Sequence, residues 1–590
     1  MFTIPAKDTK KFSQPNYGDT QGNLWASFNL NLTKNTGRIR TTRCQNTYNE
    51  NDDPDLGVNC AFAFYDPTSG GTDPVFVAYN ENLFFGGAEP TDTFTIDTIT
   101  DTPVATDSRQ DLKVFNDRLY ATESTALKRL DHGDAAWSTV DTLVTGSIHQ
   151  LCAYGNRLYV VNDKNKIASM DIAETLVTIG DFTLDLSYFN GHISWIKEGS
   201  NRIWIGYTKN DGTRGMIFEW DGKTENGWSK NYLIEAQGSA GCTIWNDIPY
   251  VMDIEGRLLG FNGANFEEVA RLPLLQYDVL NSQYATTSAN KIIHFNGIRY
   301  MNDAIYMLVS NKTTGDSRTQ ESFPGGVYVY TKENGLVHAY SASITAIGGS
   351  IKDFGNEFMN STGAIFDATA RFSNASNFDA SIMFGANIDD ETDTSINAIF
   401  IDEITAEQAQ GGYFITPWIE SAQVVDVWNK TILKYRKFLG DNAKIVVKYR
   451  TTKDIPVVFQ NIVWDSATAF TDTSGGLANI AIGEEVEVLT GHGAGKVAHV
   501  LTNTFSTPNY TLTFDDSFPG VAVGDISDIR FQTWKKLPPI TDITTQFKEL
   551  SLPISNKDVQ VQFKVVMEWE NADNELQEML IINNTEQHAK

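Results

Sequence analysis

The sequence predicts an all-β protein: a six- or seven-bladed β-propeller followed by a β-sandwich that carries an inserted small β-barrel. Three observations predict it. Apolar and polar residues alternate with period two along most of the chain, and helical periodicity is scarce. Short β-rich runs are separated by Asn, Asp and Gly turns. One phrase, a polar turn leading into an apolar strand with an early aromatic, returns along the middle of the chain.

That phrase reads ENLFF at 81–85, NDRLY at 116–120, NRLYV at 156–160, NRIWI at 201–205, NDIPY at 246–250 and NDAIY at 302–306. Its aromatics are Phe84, Tyr120, Tyr159, Trp204, Tyr250 and Tyr306. They follow one another at steps of about 36 to 56 residues, in the range of propeller blades. TGAIFDA at 362–368 is a weaker seventh copy. GMIFEWDG (215–222), GRLLGFNG (256–263) and GGVYVYTKENG (325–335) supply a second strand and turn after the phrase. A four-stranded blade buries its faces only against its neighbours, and closure of the ring protects the edges. The competing reading is a series of unrelated hairpins in large sandwiches. Trp220-Asp221 is a WD dipeptide without the accompanying GH, and neither a sialidase-type Asp-box nor a repeated kelch glycine pair occurs.

Around the propeller, assigned to 59–410, the pattern changes. Residues 1–58 read as a polar arm that becomes strand-like near Leu24. After 411 the repeat is lost. AKIVVKYR (443–450) alternates Ile445, Val447 and Tyr449 with Lys444, Val446 and Lys448. KDVQVQFKVVMEW (557–569) alternates in the same way. Each has one face for a core and one for water or a partner. A sandwich is therefore expected from 411–464 and 535–590, with 465–534 as the inserted barrel.

The chain has 590 residues and a formal net charge of −28, from 74 acidic and 46 basic side chains. Such a surface repels nucleic acid rather than wrapping it. No apolar run reaches the length of a membrane helix. The opening MFTIPAKDTKKFSQ lacks the apolar centre of a signal peptide, so synthesis in a cytoplasm is expected. The four cysteines, Cys44, Cys60, Cys152 and Cys242, form no CxxC pair. Loop length permits a Cys44–Cys60 bridge, but isolated thiols are the favoured reading.

The search for chemistry is mostly negative. GHGAGKVAHV (491–500) looks at first like a phosphate cradle. A Walker A loop needs Ser or Thr after Gly495-Lys496, where Val497 stands, and Thr490 occupies the place of the first glycine. Its flanks, GEEVEVLT and KVAHVLT, are strand-like, whereas a phosphate loop must run into a helix. The stretch is therefore read as a hairpin connection. Asp52, Asp53 and Asp55 in NENDDPDLG lack the spacing of a calcium loop. None of the eight histidines forms HExxH, and His492 and His499 flanking one turn lack further ligands for zinc. No GxSxG occurs. Paired carboxylates for glycoside hydrolysis are defined by a distance in space and cannot be picked from sequence. No catalytic residue, cofactor or metal is assigned. One basic stretch stands out on this acidic chain: Lys430, Lys434, Arg436, Lys437, Lys444, Lys448, Arg450 and Lys453. It is a candidate docking patch for an acidic neighbour, including a second copy of the chain, set against ordinary solvated strand faces.

Two pieces carry a resemblance. NYGDTQGNLWASFNLNLTKNTGRIRTTR resembles the opening of virion proteins of tailed bacteriophages, in which a D..GNLW phrase leads into β-blades. GEEVEVLTGHGAGKVAHVLTNTFSTPNYTLTFDDSFPGVAVGDISDI (483–528) looks like a module of phage tail, fibre and baseplate proteins. The motifs cover about 75 residues. The resemblance implies a structural, non-enzymatic tail protein of nozzle, baseplate or hub type, in a homo-oligomeric ring assembled in the host cytoplasm. Its propeller would dock neighbouring tail or fibre proteins, and genomic DNA would only pass through. Two other classes are weighed beside it: a receptor-binding adhesin, and a propeller enzyme acting on host surface polysaccharide.

Overall fold

The computed structural model describes, before residue 61, only 2–5, 11–12, 23–24, 26–28 and 46–47. From 61 to 584 it describes the chain with breaks, the longest at 87–94, 175–183, 273–292, 310–325, 341–357, 368–381, 402–410, 436–443 and 489–496. Among the described residues there is no α-helix, and none is long and apolar enough to cross a membrane.

Seven four-stranded antiparallel sheets follow one another among the described residues. Blade 1 begins with Ala61–Tyr65, blade 2 with Leu112–Phe115, blade 3 with Leu151–Tyr154 and blade 4 with Gly191–Glu198. Blades 5 to 7 begin with Ser239–Trp245, Ile298–Met301 and Phe358–Asp367. These first strands neighbour one another in cyclic order, and the seventh meets the first. The protein is thus a seven-bladed β-propeller with further β-structure behind it.

The recurring phrase has a physical cause in blades 2, 5 and 6. Asn116-Asp117, Asn246-Asp247 and Asn302-Asp303 all have positive φ, the signature of a type I′ hairpin turn between first and second strands. Phe115 pairs with Arg118, Trp245 with Ile248 and Met301 with Ala304 across these two-residue loops. In blades 2 to 5 the aromatic that follows staples its blade to the next. Tyr120 Oη donates to Glu174 Oε1 at 2.7 Å, and Tyr159 Oη donates to the Gly222 carbonyl at 2.9 Å. Trp204 packs edge-on against Phe261 at 5.3 Å, and Tyr250 lies 6.2 Å from Tyr330. In each case the partner sits on the third strand of the next blade or just after it. Gly222, at φ 74, is obligatory here, because a Cβ would stand 2.5 Å from the Tyr159 hydroxyl. The WD dipeptide Trp220-Asp221 belongs to this staple: Trp220 is fully buried, edge-on to Tyr159 at 5.3 Å.

Two copies of the phrase are out of register. ENLFF links the second and third strands of blade 1, Val75–Tyr79 and Leu83–Gly86, and TGAIFDA lies on the first strand of blade 7. The same turn chemistry serves any hairpin, so the phrase alone does not say which one.

Within residues 1–58, read as an arm with first strands, three described strands pair with distant parts of the chain. Phe2–Pro5 pairs with Leu576–Asn584 in one sandwich sheet, and Ala26–Phe28 pairs with Gly411–Ile415 in the other. Asn46–Thr47 is the outermost strand of blade 7, against Ser395–Ile401. A strand from before blade 1 therefore completes the last blade.

The second sandwich sheet runs Ala26–Phe28, Gly411–Ile415, Val561–Glu568, Lys444–Thr451, Lys535–Lys536. Its strands Lys444–Thr451 and Val561–Glu568 are covered on both faces, not one. The cover is the barrel, whose six strands close in a ring. The barrel begins at Val457 rather than 465, because Val457–Ser466 pairs with Ile526–Gln532 and Ala469–Asp472. Its core stacks Phe470, Phe514 and Phe518 around the fully buried Trp464.

Candidate functional site

Polar side chains gather at the propeller axis and at the junction of barrel and sandwich. On the axis, Asp111 stands just before the first strand of blade 2. Its carboxylate accepts hydrogen bonds from the Leu112 and Leu151 amides at 2.9 and 3.0 Å. Asn296 of blade 6 also donates to it, at 3.1 Å, from across the ring. Burial pushes the Asp111 carboxyl up to about 6, against these donors. Deeper in, Lys113 of blade 2 reaches past Cys152 of blade 3 to Glu198 of blade 4, Nζ to Oε1 2.8 Å. Burial disfavours the Glu198 charge, yet Lys113 and then Lys197 hold it at about 2. Burial, then Glu198, push the Cys152 thiol upward, which makes it a poor nucleophile. The two described axial carboxylates are thus tied to structural donors.

The junction is built from two alternating strands. In Lys444–Thr451, Lys448 and Arg450 point away from the sandwich core, opposite Lys564 and Gln562 of Val561–Glu568. In the barrel strand Glu485–Val488, the valines fill the barrel core and the glutamates face the sandwich. Lys448 Nζ donates to Glu485 Oε2, and Arg530 Nη2 donates to Glu487 Oε2 at 2.7 Å. All four side chains are buried. Arg450 donates to Gln562 Oε1 at 2.7 Å and lies 4.6 Å over the Trp534 ring. The Lys564 ammonium lies 4.3 Å over Tyr413. Burial opposes the Glu485 charge, but Lys448, followed by Lys564 and His499, holds the carboxyl at about 2. Burial pulls Lys564 down to about 8; Glu485 pulls back and Lys448 adds to the fall. His499 completes the set, with Nδ1 3.2 Å from Asp515 Oδ2 and Nε2 3.7 Å from Glu485 Oε2.

The expected basic patch is divided by this arrangement. Lys448 and Arg450 do not face a docking partner outside the molecule; the barrel and Trp534 already occupy them. Lys430 and Lys434 lie on Val427–Tyr435 in the other sandwich sheet, and Lys444 is half-buried at the start of its strand. Arg436, Lys437 and Lys453 lie outside the described residues, as do Cys44, Cys60, NENDDPDLG and the GHGAGK loop. The flanks of that loop are observed. Glu485 pairs with His499 and Glu487 with Val497, as a hairpin requires. His499 thus faces Glu485 across the ladder. Cys152 and Cys242 are free and buried. Among the described residues no group of three His, Cys, Asp or Glu side chains is placed to hold a metal ion. Glu485, Glu487 and Lys564 escaped the sequence reading. Their signal was the matched alternation of EVEV with KIVVKYR, acidic on one strand and basic on the other.

Beside the junction lies a cleft of about 820 Å³. The barrel side supplies Ile482, Leu501 and His499; the returning segment supplies Trp534 to Pro539. It can receive an apolar protrusion with negative charge near it.

No family model matches the chain, and no curated protein sequence matches it. Solved structures match at the level of architecture. BamB from Moraxella catarrhalis covers 64% of this chain and 94% of its own, at 13% identity and TM-score 0.31. The BBS1N structure in complex with ARL6DN covers 60% and 96%, at 11% identity and TM-score 0.35. The computationally designed Ika8 protein covers 62% and 100%, at 11% identity and TM-score 0.33.

Proposed function

We propose that this chain is a structural subunit of a tailed-bacteriophage virion, of nozzle, baseplate or hub type. It works in a homo-oligomeric ring, and its propeller is the platform on which neighbouring tail or fibre proteins dock. The observation that carries the reading is the weave of the chain. Residues before blade 1 supply strands to blade 7 and to both sandwich sheets, so the chain passes between sandwich and propeller twice, once before blade 1 and once after blade 7. That construction suits a part that transmits load. The phage-like phrases near residues 16–43 and 483–528 supply the virion context. The axis supports a scaffold role as well, since Asp111 and Glu198 serve structural partners. Mass spectrometry of purified virions, with the subunit labelled for electron microscopy, tests the proposal. Its presence at a fixed place in the tail is expected; its absence from virions refutes the reading.

A further inference from the structure

Asp111 and Asn296 meet although their blades are not neighbours. Blades 2 and 6 are separated by blades 7 and 1 on one side of the ring and by blades 3 to 5 on the other. The 3.1 Å bond between the two side chains therefore crosses the axis itself. Both partners are anchored. The Asn296 carbonyl accepts from the Ile365 amide of blade 7 at 3.0 Å, and the Asn296 amide donates to His294 Nδ1 at 3.1 Å. Asp111 is held by the Leu112 amide of its own blade and the Leu151 amide of blade 3. One carboxyl group thus joins blades 2, 3 and 6, with blade 7 one bond further on. It is buried, at 4% exposure. Among the described residues, the charges that act on it are Lys113 of blade 2 and Lys197 of blade 4, and Lys113 is itself bound to Glu198. The histidines nearby are His294, beside Asn296, and His149 of blade 3, whose Nδ1 meets the Val161 carbonyl at 2.8 Å; both are fully buried.

We infer that Asp111 and Asn296 form a proton-sensitive latch across the propeller axis, held more tightly when Asp111 is protonated and opening more readily once it is ionised. Opening breaks the bond across the axis and lets water reach Asp111. A buried carboxylate gains solvation in that step, whereas a neutral carboxyl gains little. The closed latch therefore takes up a proton more readily than the open one. Burial holds the closed carboxyl at about 6, against 3.8 for an exposed one, so the closed form is favoured most below 3.8 and loses that advantage as pH rises through about 6. The gap allows at most about a hundredfold change in the opening equilibrium. Protonation of His294 would act in the opposite sense, because it would take away the acceptor of the Asn296 amide.

The test uses the full chain and reads the Leu151 amide, which donates directly to Asp111. Its hydrogen exchange is followed by mass spectrometry with single-residue fragmentation, from about pH 4.5 to 7.5, on the wild type, D111N and N296A. Asn at 111 has the shape of the protonated acid and cannot ionise. The ratio of wild-type to D111N rates at each pH cancels the intrinsic chemistry of exchange. That ratio is expected to rise about tenfold or more across the range and to level off above about pH 7. N296A, lacking the donor across the axis, is expected to exchange about tenfold faster than the wild type at every pH. A second reading is maleimide labelling of the fully buried Cys152 thiol, located by peptide mass; N296A is expected to label faster there too. Circular dichroism checks that both variants fold, and if N296A does not, the wild-type to D111N ratio decides alone. A ratio that stays flat or falls with rising pH, or a folded N296A that exchanges and labels like the wild type, overturns the inference.

Discussion

Glu485→Gln puts the charged junction to a quantitative test. The Glu485 side chain is 1% exposed and that of its partner Lys448 10%, so neither charge can turn to water. Removing one member of such a pair leaves the other buried and uncompensated, at a cost of about 3–5 kcal/mol. Replacing both with methionine, in K448M/E485M, removes the stranded charge and is expected to recover most of that loss. A double-mutant cycle in urea, followed by circular dichroism, measures the coupling. The pH dependence supplies an independent sign. Glu485 is held at about 2, below its ordinary 4.5, so the stability it contributes is complete above 4.5 and is lost as pH falls towards 2. In K448M the largest cause of that depression is gone while Lys564 and His499 remain, so the acid-side loss from this group shrinks. A single-variant cost below about 1 kcal/mol, with an unchanged acid limb, would refute the buried-pair argument.

Four further outcomes are expected. Tyr159→Phe removes the donor to the Gly222 carbonyl and costs about 1–3 kcal/mol, and Tyr159→Ala costs about 3–5 by opening a cavity between blades 3 and 4; thermal melts rank the two. Lys564, held at about 8, binds fewer protons folded than unfolded between about 8 and 10.5, so its contribution to stability rises with pH across that window; Lys564→Met flattens the rise in a pH series of urea melts. Deleting residues 1–47 strips the outer strand of blade 7 and a strand from each sandwich sheet; loss of one cooperative transition and early proteolysis are expected. Replacing 452–533 with a short turn removes the barrel but leaves the sandwich folded, because Lys448 pairs with Lys536 and Tyr449 with Lys535 where the chain leaves and returns; far-ultraviolet circular dichroism and limited proteolysis check it.

Much of the architecture was legible in local chemistry. Type I′ turns demand Asn, Asp or Gly at positive φ, and strands show their period in the side chains, so hairpins at blade spacing could be read from residues 110 to 340. The same locality set the limits. ENLFF looks like the other phrases because its residue types are like theirs, although it joins a different pair of strands. Asn46–Thr47 carries no mark of its partner Ser395–Ile401, since pairing between strands so far apart in sequence depends on where the ring brings its ends. The basic strand KIVVKYR was legible as basic and alternating; what covers it was not. By itself the sequence determined the all-β class, the blade rhythm and the hairpin nature of the flanks of GHGAGK, because each follows from neighbours along the chain. Only the tertiary structure decided that an arm closes the propeller and that Lys448 belongs to Glu485, because those depend on surfaces that meet only when the chain is folded.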